Sequence, residues 1–362
     1  MKITAHYVAM AVLLTVLAWA SPAPGPGQAG EAGQGAKGGG SMIDKFFIYD
    51  AKPLDVPPEV AAKMKREQAA SSVEATRLLS LDGTRIEGAP YADFVWLWKG
   101  SSKGYVEEEH VHDFDEYIGF IGTRGPQDPR GRGGEMEVWL GGEKYLITKS
   151  CLIYGPRGLK HCPIRFNRID SPILFFTGSL GGKDAKYTRT PTPFSDAKAA
   201  ERNYEKYISY GVNPVKLPPE EGTPEAAKMA EMRAQSGSTV VSTRLLDLDR
   251  VEGAPYIDFA WLYEGHEKKV THPEHSHDWG EIFGYVGAAE QADPRDLGGE
   301  VEFWIQGEKR TLTKSCLVWI PPAIPHCPVR FARIDRPILW FTIGIGMRKG
   351  AYTFTPTAPA KK

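Results

Sequence analysis

Two stretches of the chain share one pattern: His110-Val111-His112-Asp113-Phe114-Asp115-Glu116 and His275-Ser276-His277-Asp278-Trp279-Gly280-Glu281. In each stretch one residue separates two histidines, and a glutamate follows the second histidine after three residues. Because side chains on an extended strand alternate between its faces, positions i, i+2 and i+6 share one face. Each stretch is therefore predicted to be a single strand that presents two imidazoles and a carboxylate on the same side.

A third histidine follows each glutamate at a fixed distance. His161 lies 45 residues after Glu116, and His326 lies 45 residues after Glu281. The alternative is that the histidines are core residues copied by duplication, but the shared face, the glutamate and the later histidine argue against it. Neutral imidazole suits Zn, Cu, Fe and Ni, and carboxylate suits Mn as well. We therefore predict one divalent transition metal (Fe, Mn, Ni, Cu or Zn) in each half, bound by His110, His112, Glu116 and His161 in the first and by His275, His277, Glu281 and His326 in the second.

The two stretches belong to an internal repeat with an offset of 165 residues. Residues 87–91 read EGAPY and recur at 252–256, and residues 148–152 read TKSCL and recur at 313–317. The chain has 362 residues, and two copies of about 155 residues indicate domain duplication rather than a solenoid.

Each copy is predicted to consist mainly of short strands. Aromatic-rich and alternating apolar runs are separated by turn residues, and the chain contains 39 Gly and 28 Pro. Many short antiparallel strands in a unit of this size suggest a jelly-roll barrel. A proline followed by good helix formers predicts a short helix before each barrel, over 58–70 and 224–235.

The first 20 residues have the pattern of a secretory signal peptide, with Lys2, an apolar run over 8–20 and small residues at its end. A run of about 13 apolar residues is short for a membrane span. Residues 21–41, rich in Gly, Pro and Ala, are predicted to be a flexible linker. The folded domains are then predicted over 42–200 and 201–358. The protein is expected to be exported, to a periplasm or out of the cell, whereas a true start at Met42 would make it cytoplasmic.

The charge balance argues against a nucleic-acid partner, because 44 Lys and Arg stand against 45 Asp and Glu without a polybasic block. The expected partner is a small-molecule substrate, and no membrane span is expected in the mature chain.

Four cysteines occupy repeat-matched positions: Cys151 with Cys316, and Cys162 with Cys327. They could form disulfides in an exported protein, or they could be small buried apolar residues kept by duplication, which we favour.

These motifs resemble those of the cupin superfamily, and the duplication resembles a bicupin. The first cupin motif, G-x5-H-x-H-x3–4-E-x6-G, is matched from Gly104 through Glu116, although its closing glycine, Gly122, comes one residue early. Residues 156–161, reading PRGLKH, match the second motif. In the second copy both motifs are weaker, with Lys269 in place of the opening glycine. The resemblance implies an all-β fold of two tandem cupin-type double-stranded β-helix (jelly-roll) barrels.

The resemblance also implies a class of activity. Bicupins with this ligand set include manganese oxalate decarboxylases and quercetin-type dioxygenases, so we expect a dioxygenase, decarboxylase or isomerase that acts on a small organic acid or a phenolic compound. The arginine that precedes the histidine pair in oxalate decarboxylases is absent from 105–109 and 270–274. Oxygenase chemistry is therefore ranked before decarboxylase chemistry. A non-catalytic metal-binding or small-ligand-binding protein is the alternative, because a fold does not decide function. Cupins often assemble through their barrels, so a homo-oligomer is also compatible with the resemblance.

Arg165 and Arg330 stand where the family pattern has asparagine, four residues after His161 and His326. On a regular strand they would share a face with those histidines. One hypothesis makes them catalytic, with each guanidinium gripping a carboxylate or phenolate of the substrate. The other pairs them with Glu137 and Glu302, because a buried charge needs a partner. The first copy keeps the family pattern more closely, so the barrel that contains Glu116 is the better candidate for an active centre.

Overall fold

The computed structural model describes residues 41–53, 58, 62, 71–180, 190–194, 202–212, 227, 231, 234–270, 272–288, 290–347 and 355–356. The predicted signal peptide and most of the predicted linker lie outside these residues, as do most of the two predicted helices. Among the described residues, no helix has both the length and the apolar character needed to cross a membrane.

Among its described residues, the first half of the chain contains a short 3-10 helix, Asp44–Phe46, and eleven strands. The strands are β1 (Phe47–Ile48), β2 (Glu74–Leu81), β3 (Ala92–Lys99), β4 (His110–Val111), β5 (Glu116–Gly122), β6 (Gly131–Leu140), β7 (Glu143–Lys149), β8 (Cys151–Gly155), β9 (His161–Ile169), β10 (Ile173–Ser179) and β11 (Thr190–Pro191).

The second half repeats this order, beginning with the 3-10 helix Glu205–Tyr207. Its strands are β12 (Ile208–Ser209), β13 (Val241–Asp247), β14 (Ile257–Glu264), β15 (His275–Ser276), β16 (Gly280–Gly287), β17 (Asp296–Ile305), β18 (Glu308–Lys314), β19 (Cys316–Ile320), β20 (His326–Ile334), β21 (Ile338–Ile345) and β22 (Thr355–Pro356).

Each half forms a barrel of two antiparallel sheets. The N-terminal barrel has a six-stranded sheet in the order β12-β8-β5-β10-β3-β2 and a five-stranded sheet in the order β11-β4-β9-β6-β7. From β3 to β11 the chain passes repeatedly between these two sheets, which is the winding of a jelly roll. The C-terminal barrel has the equivalent sheets, β1-β19-β16-β21-β14-β13 and β18-β17-β20-β15-β22. The predicted all-β fold of two tandem jelly-roll barrels is confirmed.

The barrels exchange their edge strands. β1, from the start of the chain, pairs with β19 of the C-terminal barrel through Phe47↔Val318 and Ile48↔Leu317. In return, β12 pairs with β8 of the N-terminal barrel. Phe46 and Phe47 accordingly lie in the hydrophobic core of the C-terminal barrel, and Ile208 lies in that of the N-terminal barrel. The domain boundaries at 42–200 and 201–358 stay a prediction, and each of the two ranges contributes one strand to the other barrel.

A third apolar core joins the barrels. The outward side chains of the two six-stranded sheets pack together, with four phenylalanines at the centre: Phe94 stacks on Phe341 at 5.1 Å, and Phe176 stacks on Phe259 at 5.0 Å. Two glycines make room for these rings, since a Cβ at Gly119 would lie 2.0 Å from the Phe176 ring and one at Gly284 would lie 1.8 Å from that of Phe341. The inward side chains of the same strands fill each barrel separately.

The four cysteines are unpaired and buried in the barrel interiors, Cys151 and Cys162 in one and Cys316 and Cys327 in the other. Of the two interpretations, the structure confirms the buried apolar one. Burial also raises the pKa of the Cys316 thiol, which keeps it neutral.

Candidate metal centres

The four predicted ligands of the first half converge at one place in the N-terminal barrel. His110 lies on β4 and pairs with His161, the first residue of β9. Glu116 is the first residue of β5, which belongs to the other sheet. The prediction that residues 110–116 form one strand is therefore wrong: the stretch leaves one sheet after Val111 and enters the other at Glu116. The ligands still meet because this crossing brings the two sheets together.

Short distances join these four side chains, all of which are at least 96% buried. The Nε2 atoms of His110 and His112 are 3.1 Å apart. Glu116 Oε2 lies 2.9 Å from His161 Nε2 and 3.5 Å from His112 Nε2. The candidate ligand atoms of the three histidines all lie within 4.8 Å of one another. One ion could therefore contact all four residues.

Backbone carbonyl groups fix which ring nitrogen faces the centre. His110 Nδ1 lies 2.7 Å from the carbonyl oxygen of Glu108, and His161 Nδ1 lies 2.9 Å from that of Leu159. A carbonyl oxygen only accepts hydrogen bonds, so Nδ1 carries the proton in each ring. The lone pair of Nε2 is then directed at the centre, which is how a metal-binding histidine is usually held.

The C-terminal barrel contains the equivalent group. His275, His277, Glu281 and His326 are buried, and one ligand atom from each lies within 4.8 Å of the others. Glu281 Oε2 is 3.0 Å from His277 Nε2 and 3.3 Å from His326 Nε2. Here all three histidines place Nδ1 against a backbone carbonyl oxygen, at 2.6 to 3.0 Å, from Pro273, Trp279 and Ile324.

The chemistry of both groups fits a metal ion. His161 Nε2, Glu116 Oε2 and His326 Nε2 are buried without a hydrogen-bond partner among the described residues. With the proton of His161 on Nδ1, its Nε2 lone pair faces a carboxylate oxygen at 2.9 Å, an arrangement that a shared cation stabilises. Three imidazoles and one carboxylate are ligands that divalent transition metals accept. The two groups could thus hold one divalent metal in each barrel.

The electrostatics keep these ligands in their metal-binding forms. Burial, reinforced by His161 and His112, holds the pKa of His110 well below its usual value, and burial together with His326 lowers the pKa of His275 to about 4. Burial alone would raise the pKa of Glu281, but the neighbouring imidazoles of His277 and His326 lower it to about 2. Neutral imidazole and ionised carboxylate are the forms that coordinate metals.

Two aromatic side chains and a threonine contact the ligands directly. Phe114 stacks on His112 at 4.5 Å, and Trp279 stacks on His277 at 3.6 Å. The Thr177 hydroxyl donates a hydrogen bond of 2.5 Å to Glu116 Oε1. Sequence reasoning missed Thr177, although a threonine at the same position of both copies, at the end of an otherwise apolar run, was the available signal.

Arg165 and Arg330 lie on the other face of their strands. A bulge shifts the register of β6 against β9 between Val138 and Leu140, and the same irregularity occurs between β17 and β20. Beyond the bulge, the side chains of Ile164 and Phe166 face the core. Arg165 lies between them in sequence, so its side chain is on the opposite face of the strand. The expectation that each arginine shares a face with its histidine is therefore wrong.

Both arginines instead face the glutamates that the ion-pair hypothesis assigned to them, Glu137 and Glu302. Arg330 Nε donates a hydrogen bond of 2.6 Å to Glu302 Oε2, and Arg165 Nη1 lies 4.0 Å from Glu137 Oε2. The structure thus shows the ion pairs. A catalytic role for either arginine stays a prediction, which an Arg165→Met or Arg330→Met variant tests by its turnover and metal content.

Two barrels with a His/Glu group in each fit the bicupin pattern. No family model and no curated protein matches the chain. Among solved structures, it is similar to a deletion mutant of Bacillus subtilis oxalate decarboxylase OxdC, with 15% identity over 79% of this chain and 76% of that chain and a TM-score of 0.42. It is also similar to an oxalate decarboxylase structure described as containing a structural element that modulates proton-coupled electron transfer, with 14% identity, coverage of 78% and 75%, and a TM-score of 0.43. Likeness at this level assigns no activity to the chain.

Proposed function

We propose that this protein is a metal-dependent bicupin enzyme, and that it is an oxygenase, most specifically a dioxygenase, of a small organic acid or phenolic substrate. The observation that carries the proposal is the pair of buried groups of three histidines and one glutamate, with backbone carbonyls directing Nε2 of five of the six rings at the centre. A divalent metal in such a group supplies Lewis acidity and a place where substrate and dioxygen meet. Four protein ligands leave two positions open on a six-coordinate ion, which a purely structural site does not need.

The surroundings of the ligands support an aromatic or phenolic substrate over a small dicarboxylate. Phe114 and Trp279 stack on ligating histidines, and the ring of Phe283 lies 5.7 Å from that of His326. Aromatic walls are typical of sites that bind flat apolar molecules. The two arginines nearest in sequence face glutamates on the other side of their strands, so neither lies where it would hold an anionic substrate at the metal.

The test combines metal analysis with gas exchange. Protein purified from its native host is analysed for metals, with two ions per chain expected. The metal-loaded protein is then offered a panel of phenols and small organic acids, and dioxygen uptake and carbon dioxide release are followed. We expect dioxygen uptake with a phenolic substrate and incorporation of both atoms of labelled dioxygen into the product.

Matched variants connect the chemistry to each barrel. Glu116→Gln removes the carboxylate ligand of the N-terminal group, and Glu281→Gln removes that of the C-terminal group, so each variant is expected to lose about one of the two ions, because a carboxamide is a poor replacement for a ligating carboxylate. The larger loss of turnover is expected for Glu116→Gln. Release of carbon dioxide from oxalate without dioxygen uptake would assign the decarboxylase function instead. Bound metal without any turnover would leave a binding protein, and failure to bind metal would overturn the proposal altogether.

A further inference from the structure

A polar groove of about 490 Å³ lies on the N-terminal barrel, away from the metal ligands. Its lining includes Ser101, Ser102, Lys103, Glu135, Arg165 and Asn167. Arg165 and Asn167 alternate along β9 with Ile164 and Phe166, which point into the barrel core. The groove is therefore on the outer face of the five-stranded sheet, and none of the four candidate ligands of this barrel lines it.

The cationic side chains of this groove are incompletely paired. Arg165 Nε is buried and has no hydrogen-bond partner among the described residues, and its nearest ion-pair contact, with Glu137, is 4.0 Å long. Lys103 is exposed and forms no ion pair with any residue in the described part of the chain. A buried N–H group without an acceptor is unfavourable, so the guanidinium favours an additional acceptor.

The second copy has a different residue at the position of Ser102. There the backbone N–H of Phe331 donates to Glu267 Oε2 at 2.9 Å, whereas the equivalent N–H of Phe166 donates to the hydroxyl of Ser102 at 2.9 Å. Glu267 thus occupies the position of Ser102. Beside it, Arg330 Nε donates to Glu302 Oε2 at 2.6 Å, and Arg330 Nη1 donates to the backbone carbonyl oxygen of Glu267 at 3.3 Å.

The charges of the two copies differ accordingly. The groove of the first copy is lined by two cations, Lys103 and Arg165, and two carboxylates, Glu135 and Glu137. The equivalent positions of the second copy hold two cations and three carboxylates, because Glu267 is added: Lys268, Arg330, Glu300, Glu302 and Glu267. The first copy therefore lacks one negative charge at the side of Arg165.

We propose that this groove binds a small organic carboxylate, whose negative charge replaces, beside Arg165, the charge that Glu267 adds in the second copy. Arg165 and Lys103 would donate charge-assisted hydrogen bonds to it. The hydroxyl of Ser101 and the amide of Asn167, which is Ala332 in the second copy, would contact a polar remainder of the ligand. The ligand is a monocarboxylate rather than a phosphate, because Glu135 and Glu137 repel a second negative charge.

Equilibrium dialysis of the metal-loaded protein against radiolabelled acetate at constant ionic strength tests this site. Wild type and Ser102→Glu are compared, since the variant installs the carboxylate of the second copy. We expect Ser102→Glu to bind one acetate fewer per chain, with affinity at the groove reduced at least about tenfold, the effect of losing one good charged contact. Any acetate bound at the metal centres is common to both proteins and cancels in the comparison.

A second pair of variants does not depend on whether Ser102→Glu folds. Lys103→Gln changes an exposed side chain and is expected to weaken acetate binding at the groove several-fold, whereas the matched change Lys268→Gln in the second copy is expected to have no effect. Equal acetate binding by wild type, Ser102→Glu and Lys103→Gln would overturn the proposal, as would tighter binding of inorganic phosphate than of acetate at the groove. A Glu116→Gln background keeps the result separate from the proposed activity, because the groove shares no ligand with the metal centre.

Discussion

At the scale of single residues, the two candidate centres differ in how their carboxylate is held. In the N-terminal barrel Thr177 donates a hydrogen bond to Glu116 Oε1, which leaves Oε2 for the metal. Its counterpart in the C-terminal barrel, Thr342, is buried, and its hydroxyl has no hydrogen-bond partner among the described residues. Only the first threonine therefore orients its glutamate.

Thr177→Val is expected to weaken metal binding in the N-terminal barrel about tenfold, the lower end of what loss of an orienting partner usually costs. Valine keeps the shape of threonine, so the change removes the hydrogen bond and little else. Metal retained against a competing chelator measures the effect. Thr342→Val is the matched control and should retain metal like wild type; if both variants lose metal equally, Thr177 has no orienting role.

A second residue-scale prediction concerns acid stability. The hydrogen bond from Arg330, against the effect of burial and with help from Lys309, lowers the pKa of Glu302 to about 2, below the ordinary value of 4.5. Because the pKa is lowered on folding, this interaction stabilises the fold above pH 4.5 and is lost as the pH falls toward 2. Glu302→Gln is expected to lower the free energy of unfolding by about 1–3 kcal/mol at pH 7, and the difference from wild type should disappear near pH 2.

Thermal unfolding of wild type and Glu302→Gln at pH 7 and near pH 2 measures this difference. The control is Glu137→Gln in the first copy, where the cationic groups of Lys144 and Arg165 are 3.6 and 4.0 Å from the carboxylate instead of 2.9 and 2.6 Å. The longer distances predict a smaller effect. A difference between Glu302→Gln and wild type that persists at acid pH would contradict the role assigned to the ionised carboxylate.

The identity of the metal ligands was predictable from the sequence, but their neighbours were not. Imidazoles and carboxylates at repeated spacing indicate a metal site whatever strand carries them, so His110 and Glu116 were found although they lie in different sheets. The face of Arg165 depends on a one-residue bulge in β9 beside Pro163, a residue type that is typical of bulges but was not used in the sequence reasoning. A shift of one residue reverses every side chain beyond it, and the predicted contact became an ion pair on the opposite face.

At the scale of strands, each half of the chain supplies one edge strand to the barrel that the other half forms. The matched openings of the two halves, around residues 45–53 and 206–214, were visible in the sequence. Sequence similarity places equivalent segments in equivalent positions, but it does not tell which of the two similar barrels each segment joins. The structure shows that β1 completes the C-terminal barrel and β12 the N-terminal barrel. Arg310 of the C-terminal barrel also forms an ion pair with Asp44 and lies over the ring of Phe47 at 5.6 Å.

The exchange predicts that a mutation in the first half destabilises the second barrel. Phe47 is 7% exposed and belongs to the core of the C-terminal barrel. Phe47→Ala is expected to reduce the stability of that barrel by about 3–5 kcal/mol, as for other buried aromatic side chains. Hydrogen exchange should show faster exchange in β16 and β19, with little change in β5 and β8.

The reciprocal variant supplies the control for the strand exchange. Ile208→Ala removes a buried side chain of β12 and should loosen β5 and β8 of the N-terminal barrel instead. The two variants therefore have crossed effects, each in the barrel that lies in the other half of the sequence. If Phe47→Ala loosened the N-terminal barrel, the pairing of β1 with β19 would be wrong.

At the scale of the whole molecule, one apolar layer couples the two barrels. Phe94, Phe176, Phe259 and Phe341 stack around the contact between the six-stranded sheets, with ring centroids 4.6 to 5.1 Å apart for the near pairs. Apolar runs in these strands predicted burial, and the second buried face explains why their polar–apolar alternation is weak. Because these rings belong to both barrels, we expect the stability of one barrel to depend on that of the other.

A double-mutant cycle across this layer measures the coupling. Phe176 and Phe259 belong to different barrels and stack at 5.0 Å with an interplanar angle of 17°. Phe176→Ala and Phe259→Ala are therefore expected to be non-additive in the free energy of unfolding, with a coupling of about 0.5–1.5 kcal/mol. Phe175 neighbours Phe176 but faces the interior of the N-terminal barrel, so Phe175→Ala and Phe259→Ala should add within about 0.5 kcal/mol. Additive effects in the first pair would mean that the barrels are stabilised independently, and that the phenylalanine layer only separates them from water.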